Sequence, residues 1–275
     1  MKRLVTLTLA GVLLAGCTTP AATPAAAAAA PQPGPAPEAP SAKVKPGGFD
    51  YESVFGKDDR PEQDYEMYPV RKAAEVLMFT GIRPGMTVVE MEAGSGFYTE
   101  LFSRVVGSSG HVYMQNPISF ASFLGDAVTQ RVDGRLTNVS LVESAFDNLS
   151  AVADEDADLV TWFLGPHELW YTPEGEAPGA LGDPDLAFDE IARVLKPGGT
   201  FVVLDHAAPP GSPPTTGGET HRIDKAYVIS LAEAHGFRLA GESDVLANPD
   251  DDGTISVFDP SVRRKTNRFL LKFTR

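Results

Sequence analysis

The chain has 275 residues, of which 23 are Lys or Arg and 37 are Asp or Glu, for a formal charge of -14. That length allows one large domain with a sizeable core. The acidic balance argues against nucleic-acid partners, which need a basic footprint, and against adhesion to anionic lipid by charge alone. A single cysteine, Cys17, excludes a disulfide framework and a Cys-rich zinc site.

Lys2 and Arg3 precede an apolar run from Leu4 to Ala15. The run is too short to span a bilayer comfortably and follows the charge-then-apolar order of a secretory signal. It ends in Leu14-Ala15-Gly16-Cys17, which resembles the lipobox of bacterial lipoproteins. That resemblance implies cleavage before Cys17, acylation of its thiol and new amino group, and export to the cell envelope. Thr18 follows the cysteine where an Asp would retain the protein in the inner membrane, which points to the outer membrane, facing the periplasm. Residues 18–48 are rich in Ala and Pro and hold too few large apolar groups to fold, so they read as a semi-extended spacer. The remaining residues 49–275 carry 19 basic and 36 acidic groups, a net of -17, and form the one folded domain.

Within that domain, Tyr68 to Phe79 is amphipathic and reads as a helix stopping near Gly81. Met86 to Met91 is a short β-branched run, a buried strand. Helical spacing returns from Phe97 to Val106. Strands follow at His111 to Met114, Val139 to Val142 and Asp158 to Phe163. A helix over Leu186 to Leu195 ends at Lys196-Pro197-Gly198-Gly199, before a fifth strand over Thr200 to Leu204. Ile223 to Ala234 is a helix closed by Gly236. Two last strands, Arg238 to Glu242 and Phe269 to Phe273, have no helix between them and suggest an antiparallel edge pair. Strands alternating with helices give an α/β class, a mostly parallel sheet with helices on both faces.

Between the first strand and its helix lies Glu90-Met91-Glu92-Ala93-Gly94-Ser95-Gly96-Phe97-Tyr98-Thr99. Glycines there let a backbone approach a ligand, and helix N-terminal amides face it. A dinucleotide site wants a third small residue and an acid at the end of the second strand. Here Thr99 and Gln115 stand in those places, while Glu90 precedes the glycines. A carboxylate at Glu90 would repel a pyrophosphate and attract a sulfonium or ammonium, favouring S-adenosylmethionine over NAD.

Acid-hydrophobic-x-x-Gly-x-Gly after a buried strand resembles motif I of class I S-adenosylmethionine-dependent methyltransferases, and Leu195-Lys196-Pro197-Gly198-Gly199 resembles their post-motif turn. More closely, the chain is similar to a family of exported bacterial methyltransferases through several segments. These are Gly94 to Thr99, Leu204-Asp205-His206-Ala207-Ala208, His221-Arg222-Ile223-Asp224, Gly241-Glu242-Ser243 and Lys265-Thr266-Asn267-Arg268-Phe269. The similarity covers roughly Arg71 to Phe273. It implies a Rossmann-like seven-stranded sheet whose last strand is antiparallel, and an enzyme using S-adenosylmethionine. Cofactor-binding positions would be Glu90, Glu92, Gly94, Gly96, Tyr98, Gln115 (or Asn116) and, near the adenine, Asp147. Glu92 replaces the first glycine of the usual motif, and no second-strand acid is present for the ribose.

His111 begins a strand at the opposite edge and reads as structural. His235 sits at a helix end, where an imidazolium favours the dipole. His167, His206, His221, Asp205, Asp224 and Glu168 all fall on the carboxyl edge of the sheet, where a ligand belongs. Methyl transfer needs an aligned nucleophile and often a base, which His206 or His221 would supply, oriented by Asp205 or Asp224. His167, Asp224, Arg222 and Arg268 would then hold a small, anionic substrate, under a Pro- and Gly-rich cover from Pro209 to Glu219. A metal on His206, His221 and a carboxylate is the competing use, but that spacing matches no fixed ligand template and no metal is assigned. The alternative to an enzyme is an envelope binding protein that keeps the fold and captures an adenosyl or cationic metabolite.

Overall fold

The computed structural model describes residues 49–55 and 59–275, apart from the side chain of Glu52. The signal, Cys17 and the spacer lie outside the described residues. Helix α1 spans Glu62–Arg71, α2 Ala73–Thr80, α3 Phe97–Val106, α4 Ala121–Leu124, α5 Ala127–Val132, α6 Pro184–Val194, α7 Thr216–Thr220 and α8 Lys225–Ala234. The strands are β1 Thr87–Met91, β2 His111–Asn116, β3 Val139–Glu143, β4 Ala157–Phe163, β5 Leu195–His206, β6 Arg238–Ser243 and β7 Arg268–Thr274. None of the described helices is long and apolar enough to cross a membrane.

One sheet holds all seven strands in the order β3-β2-β1-β4-β5-β7-β6. The first five pair in parallel, and β7 is antiparallel to both of its neighbours, β5 and β6. Period-2 alternation divides the side chains between two cores. Val89, Met91, Val160, Trp162, Phe201 and Val203 pack under α6 and α8. Val88, Leu159, Phe163, Val202 and Leu204 pack under α2 and α3. The seven-stranded fold expected from the sequence is the one present, with β7 threaded between β5 and β6.

Three local readings change. The helix expected over Tyr68 to Phe79 is two helices, broken at Lys72, whose backbone is left-handed (φ 46°), three residues after Pro69, which sits inside α1 and has no amide hydrogen to donate. The turn Lys196 to Gly199 lies inside the span of β5, which starts at Leu195. The segment from Pro209 to Glu219 is a packed element instead of a free cover. Its α7 lies against the 3-10 turn Pro166–Trp170 that follows β4. A side chain at Gly217 would collide with the His167 carbonyl, and one at Gly218 with that of Trp170, so only glycine permits this approach.

Candidate active site

The strand ends β1, β4 and β5 open into a cavity of about 610 Å³, within the range of small-molecule sites. Glu92, Leu164, His167, Glu168, His206 and His221 are among its walls, with Arg71 as its one arginine. Two further cavities continue it along the carboxyl edge. One shares Ser119 and reaches Ala145, and the next shares Pro117 and Ala121 and ends between Met114, Leu141 and Val142. Together they form a trough from β3 to β5, on the edge where parallel sheets bind ligands.

Three non-glycine residues on the large cavity hold left-handed backbone: Glu92 (φ 51°), Leu164 (φ 60°) and His221 (φ 54°). Such conformations cost on the order of 1–3 kcal/mol each and gather at functional sites. Each is fixed by its surroundings. The amide of Glu92 donates to Gln115 Oε1 (2.9 Å), and its Oε2 accepts from Trp162 Nε1 (3.2 Å). Gly165 makes room for that second contact, since a side chain there would strike both partners. The amide of Leu164 donates to the Leu204 carbonyl. His221 ends α7, and the next residues pair with the end of β5 through Ile223 and His206.

At the histidine end the contacts form a chain. Asp205, fully buried, accepts from the His167 amide (3.0 Å), from His167 Nδ1 (2.7 Å) and from the His206 amide (2.7 Å). His167 Nε2 lies 3.2 Å from Glu168 Oε1, and His221 Nδ1 lies 3.0 Å from the same oxygen. Burial alone would lower His167, but Asp205 and Glu168 outweigh it and raise the imidazolium to about 10. Burial would likewise raise Glu168, yet hydrogen bonds from His167 and His221 hold it far below the usual carboxylate range. Glu92 is half-buried, and desolvation together with the neighbouring Glu168 charge pushes its carboxyl well above that range. His206 is different. Burial and the neighbouring His167 and Arg268 charges keep it neutral, with Nδ1 2.7 Å from Thr266 Oγ1 and Nε2 left for the cavity.

The structure thus brings Glu92, His167, Glu168, His206 and His221 together around the cavity, with Asp205 behind the histidines, and places most other sequence-derived residues elsewhere. Glu90 is 3% exposed and accepts from Thr99 Oγ1 (2.5 Å) beneath the turn; burial pushes its carboxyl up to about 8. It is neutral at neutral pH and ties β1 to α3, which corrects its reading as a charge presented to a ligand. Gln115 is spent on Glu92 and on the Ser144 carbonyl (2.7 Å), and Asn116 clips Gly94 through both amide atoms (2.8 and 3.0 Å). Gly94 and Gly96 have positive φ, 58° and 83°. Tyr98 is core, its hydroxyl 3.4 Å from the Arg71 carbonyl. Asp147 accepts from the Asp183 amide at the start of α6.

Three substrate assignments also give way to packing. Asp224 caps α8 at Ala226 and holds the Gly211 amide. Arg222, fully buried, is consumed by Asp251 and by the carbonyls of Ala207 and Ile255. Arg268 reaches the Val70 carbonyl, away from the large cavity. Asp205 orients His167, where the sequence suggested His206 or His221. Arg71, which the sequence reading passed over, takes the cavity place; its guanidinium lies 4.4 Å from the Phe97 ring centre. Of the remaining histidines, His111 pairs with Ser140 at the far edge, and His235 sits between Asp185 and Asp189, which raise it against the lowering effect of burial.

Residues 89–203 match the family described as a methyltransferase domain. That segment is similar to a methyltransferase domain, and it lies within the seven-stranded α/β sheet. The chain is 33% identical over 122 residues to the ribosomal RNA large subunit methyltransferase E of Pseudomonas fluorescens (strain Pf0-1), covering 44% of this chain and 55% of that one. It is 27% identical over 176 residues to the ubiquinone/menaquinone biosynthesis C-methyltransferase UbiE of Escherichia coli, covering 63% and 64%. The chain therefore spans less than two thirds of these curated relatives. Among solved structures, a SAM-dependent methyltransferase from Aquifex aeolicus superposes with TM-score 0.53 at 21% identity, over 82% of this chain and 98% of that one. The [4+2]-cyclase SpnF superposes with TM-score 0.57 at 16% identity, over 80% and 84%.

Proposed function

We propose that the protein is an S-adenosylmethionine-dependent methyltransferase for a small acceptor, working in the cell envelope. The observation that carries this reading is the trough: it starts beside the glycine turn of a matched methyltransferase domain and ends at a cluster of titratable groups. The cofactor fits it in shape and charge. Its adenine end suits the apolar slot between Met114, Leu141 and Val142, and its cationic methionyl end meets Glu92. A cation beside Glu92 favours the ionised carboxylate that burial now disfavours. When bound, S-adenosylmethionine supplies an electrophilic methyl group on sulfonium.

The chain's own residues supply the rest. Phe120, Phe123, Phe258 and Tyr171 give the acceptor an apolar, aromatic wall. His206, neutral and fixed through Thr266, takes the proton of the acceptor's nucleophilic atom at Nε2. The acidic surface opposes a polynucleotide acceptor such as that of the ribosomal RNA relative. Lys2-Arg3, the apolar run and Leu14-Ala15-Gly16-Cys17 support export and anchoring by lipid on Cys17, facing the periplasm from the outer membrane.

Fold alone does not fix the reaction, as the cyclase neighbour illustrates. Calorimetry of the full-length chain with S-adenosylmethionine, together with transfer of a labelled methyl group to envelope extracts, tests the reading. Micromolar binding with a methylated product is expected, and His206→Asn should lower turnover by about 100-fold with cofactor affinity unchanged. Binding without turnover would replace the enzyme with a metabolite-binding protein, and no binding would reject both. Palmitate labelling that persists in Cys17→Ser would end the lipid assignment.

A further inference from the structure

We propose that His167, Glu168 and His221 form a binding site for one divalent transition-metal ion, of the zinc or ferrous type, whose open coordination position faces the cavity. Two imidazoles and one carboxylate are a recurrent ligand set for such ions. One ligand atom from each of the three lies within 4.8 Å of the other two. Two of the three separations, 3.2 and 3.0 Å, already match ligand atoms sharing a tetrahedral ion, which sit about 3.3 Å apart at ordinary bond lengths.

Two independent features point to a missing ligand. Glu168 is 8% exposed, yet its Oε2 is buried with no hydrogen-bond partner. An orphaned carboxylate oxygen carries an uncompensated desolvation penalty, and an ion beside it removes that penalty. The second feature is Asp205, which accepts from His167 Nδ1 and so turns Nε2 towards Glu168. A carboxylate behind a histidine fixes the ring's tautomer and orientation and raises its basicity as a ligand. His221 is brought to the same oxygen by left-handed backbone and by the close seat of α7 that Gly217 and Gly218 permit. His167 and Glu168 are adjacent, but His221 lies 53 residues beyond Glu168, so no short spacing motif announces the set. The open position lies beside His206 and the aromatic wall, where it would hold an oxygen or sulfur atom of the acceptor.

The site is tested without any turnover. The full-length protein, stripped with chelator, is dialysed against zinc, and bound metal is counted by mass spectrometry; cobalt(II) loading is followed by visible absorption. One ion per chain is expected, with cobalt bands in the visible. His221→Gln and Glu168→Gln should each weaken zinc by 100-fold or more and abolish those bands. The positioning variant Asp205→Asn should weaken zinc by about 10–100-fold. His111→Asn, at the far edge of the sheet, should bind as the parent does. Melting curves of the stripped proteins separate lost binding from lost folding, and S-adenosylmethionine affinity, measured on the same samples, should persist in His221→Gln. Less than 0.1 ion per chain in the parent, or parental affinity in both ligand variants, overturns the site and leaves the cofactor reading untouched.

Discussion

The two ends of the trough are built in opposite ways. At the β1–β2 end, polar side chains are spent on the protein itself: Asn116 on Gly94, Gln115 on Glu92 and Ser144, Glu90 on Thr99. At the β4–β5 end, an oxygen of Glu168 and a nitrogen of His206 are left without protein partners, and backbone strain is tolerated around them. Pre-tied polar groups shape a surface that receives a ligand; untied ones recognise or act on it. The difference places shape at one end and chemistry at the other.

The harshest way to break the reactive end lies behind it. Fully buried Arg222 braces the Ala207 and Ile255 carbonyls and the buried Asp251. Arg222→Leu leaves Asp251 as a buried unpaired charge and should cost about 3–5 kcal/mol of stability, read by urea unfolding. The quiet end is broken by pH. The Glu90 carboxyl keeps its proton to about pH 8 when folded and releases it near 4.5 when unfolded. The folded state binds more protons between those values, so stability should fall from pH 4.5 to 8 and level off above. The loss is on the order of a few kcal/mol. Glu90→Gln should flatten this slope; an unchanged slope would assign it to other groups.

Gly217→Ala pushes α7 off the His167 carbonyl and should cost about 1–3 kcal/mol. Turnover should fall more steeply than stability, because His221 moves away from Glu168; activity at the parental level would show that the pairing is dispensable. Glu92→Gly has the smallest effect on stability and the most telling sign. Relief of left-handed backbone should stabilise by about 1 kcal/mol. Loss of the carboxylate should weaken S-adenosylmethionine by about tenfold or more, measured by calorimetry. Stability and affinity rising together would show that Glu92 merely obstructs the site.

All seven strands and the helices α3, α6 and α8 could be read from the sequence, because apolar periodicity and Gly or Pro punctuation report burial directly. The break at Lys72 was hidden, since apolar spacing runs straight through it. The carboxyl edge could also be read, as strand ends place residues there whatever their partners. Partner choice could not. Arg222, Asp224 and Arg268 have the chemistry of substrate ligands, and only three-dimensional packing shows Arg222 and Asp224 tied to the protein and Arg268 turned to the Val70 carbonyl. The pairing of His221 with Glu168 depends on two glycines that look, in sequence, like loop filler.

The threading of β7 also orders events during synthesis. Residues 238–243 precede 268–274 in the chain, yet β6 pairs with the sheet solely through β7. Until residues 268–274 emerge, β5 and β6 both present open edges, and the run Phe201 to Leu204 lacks its antiparallel neighbour. An unpaired edge of that kind is a template for association with other chains. A nascent chain paused between residues 243 and 268 is therefore the species in greatest need of a chaperone.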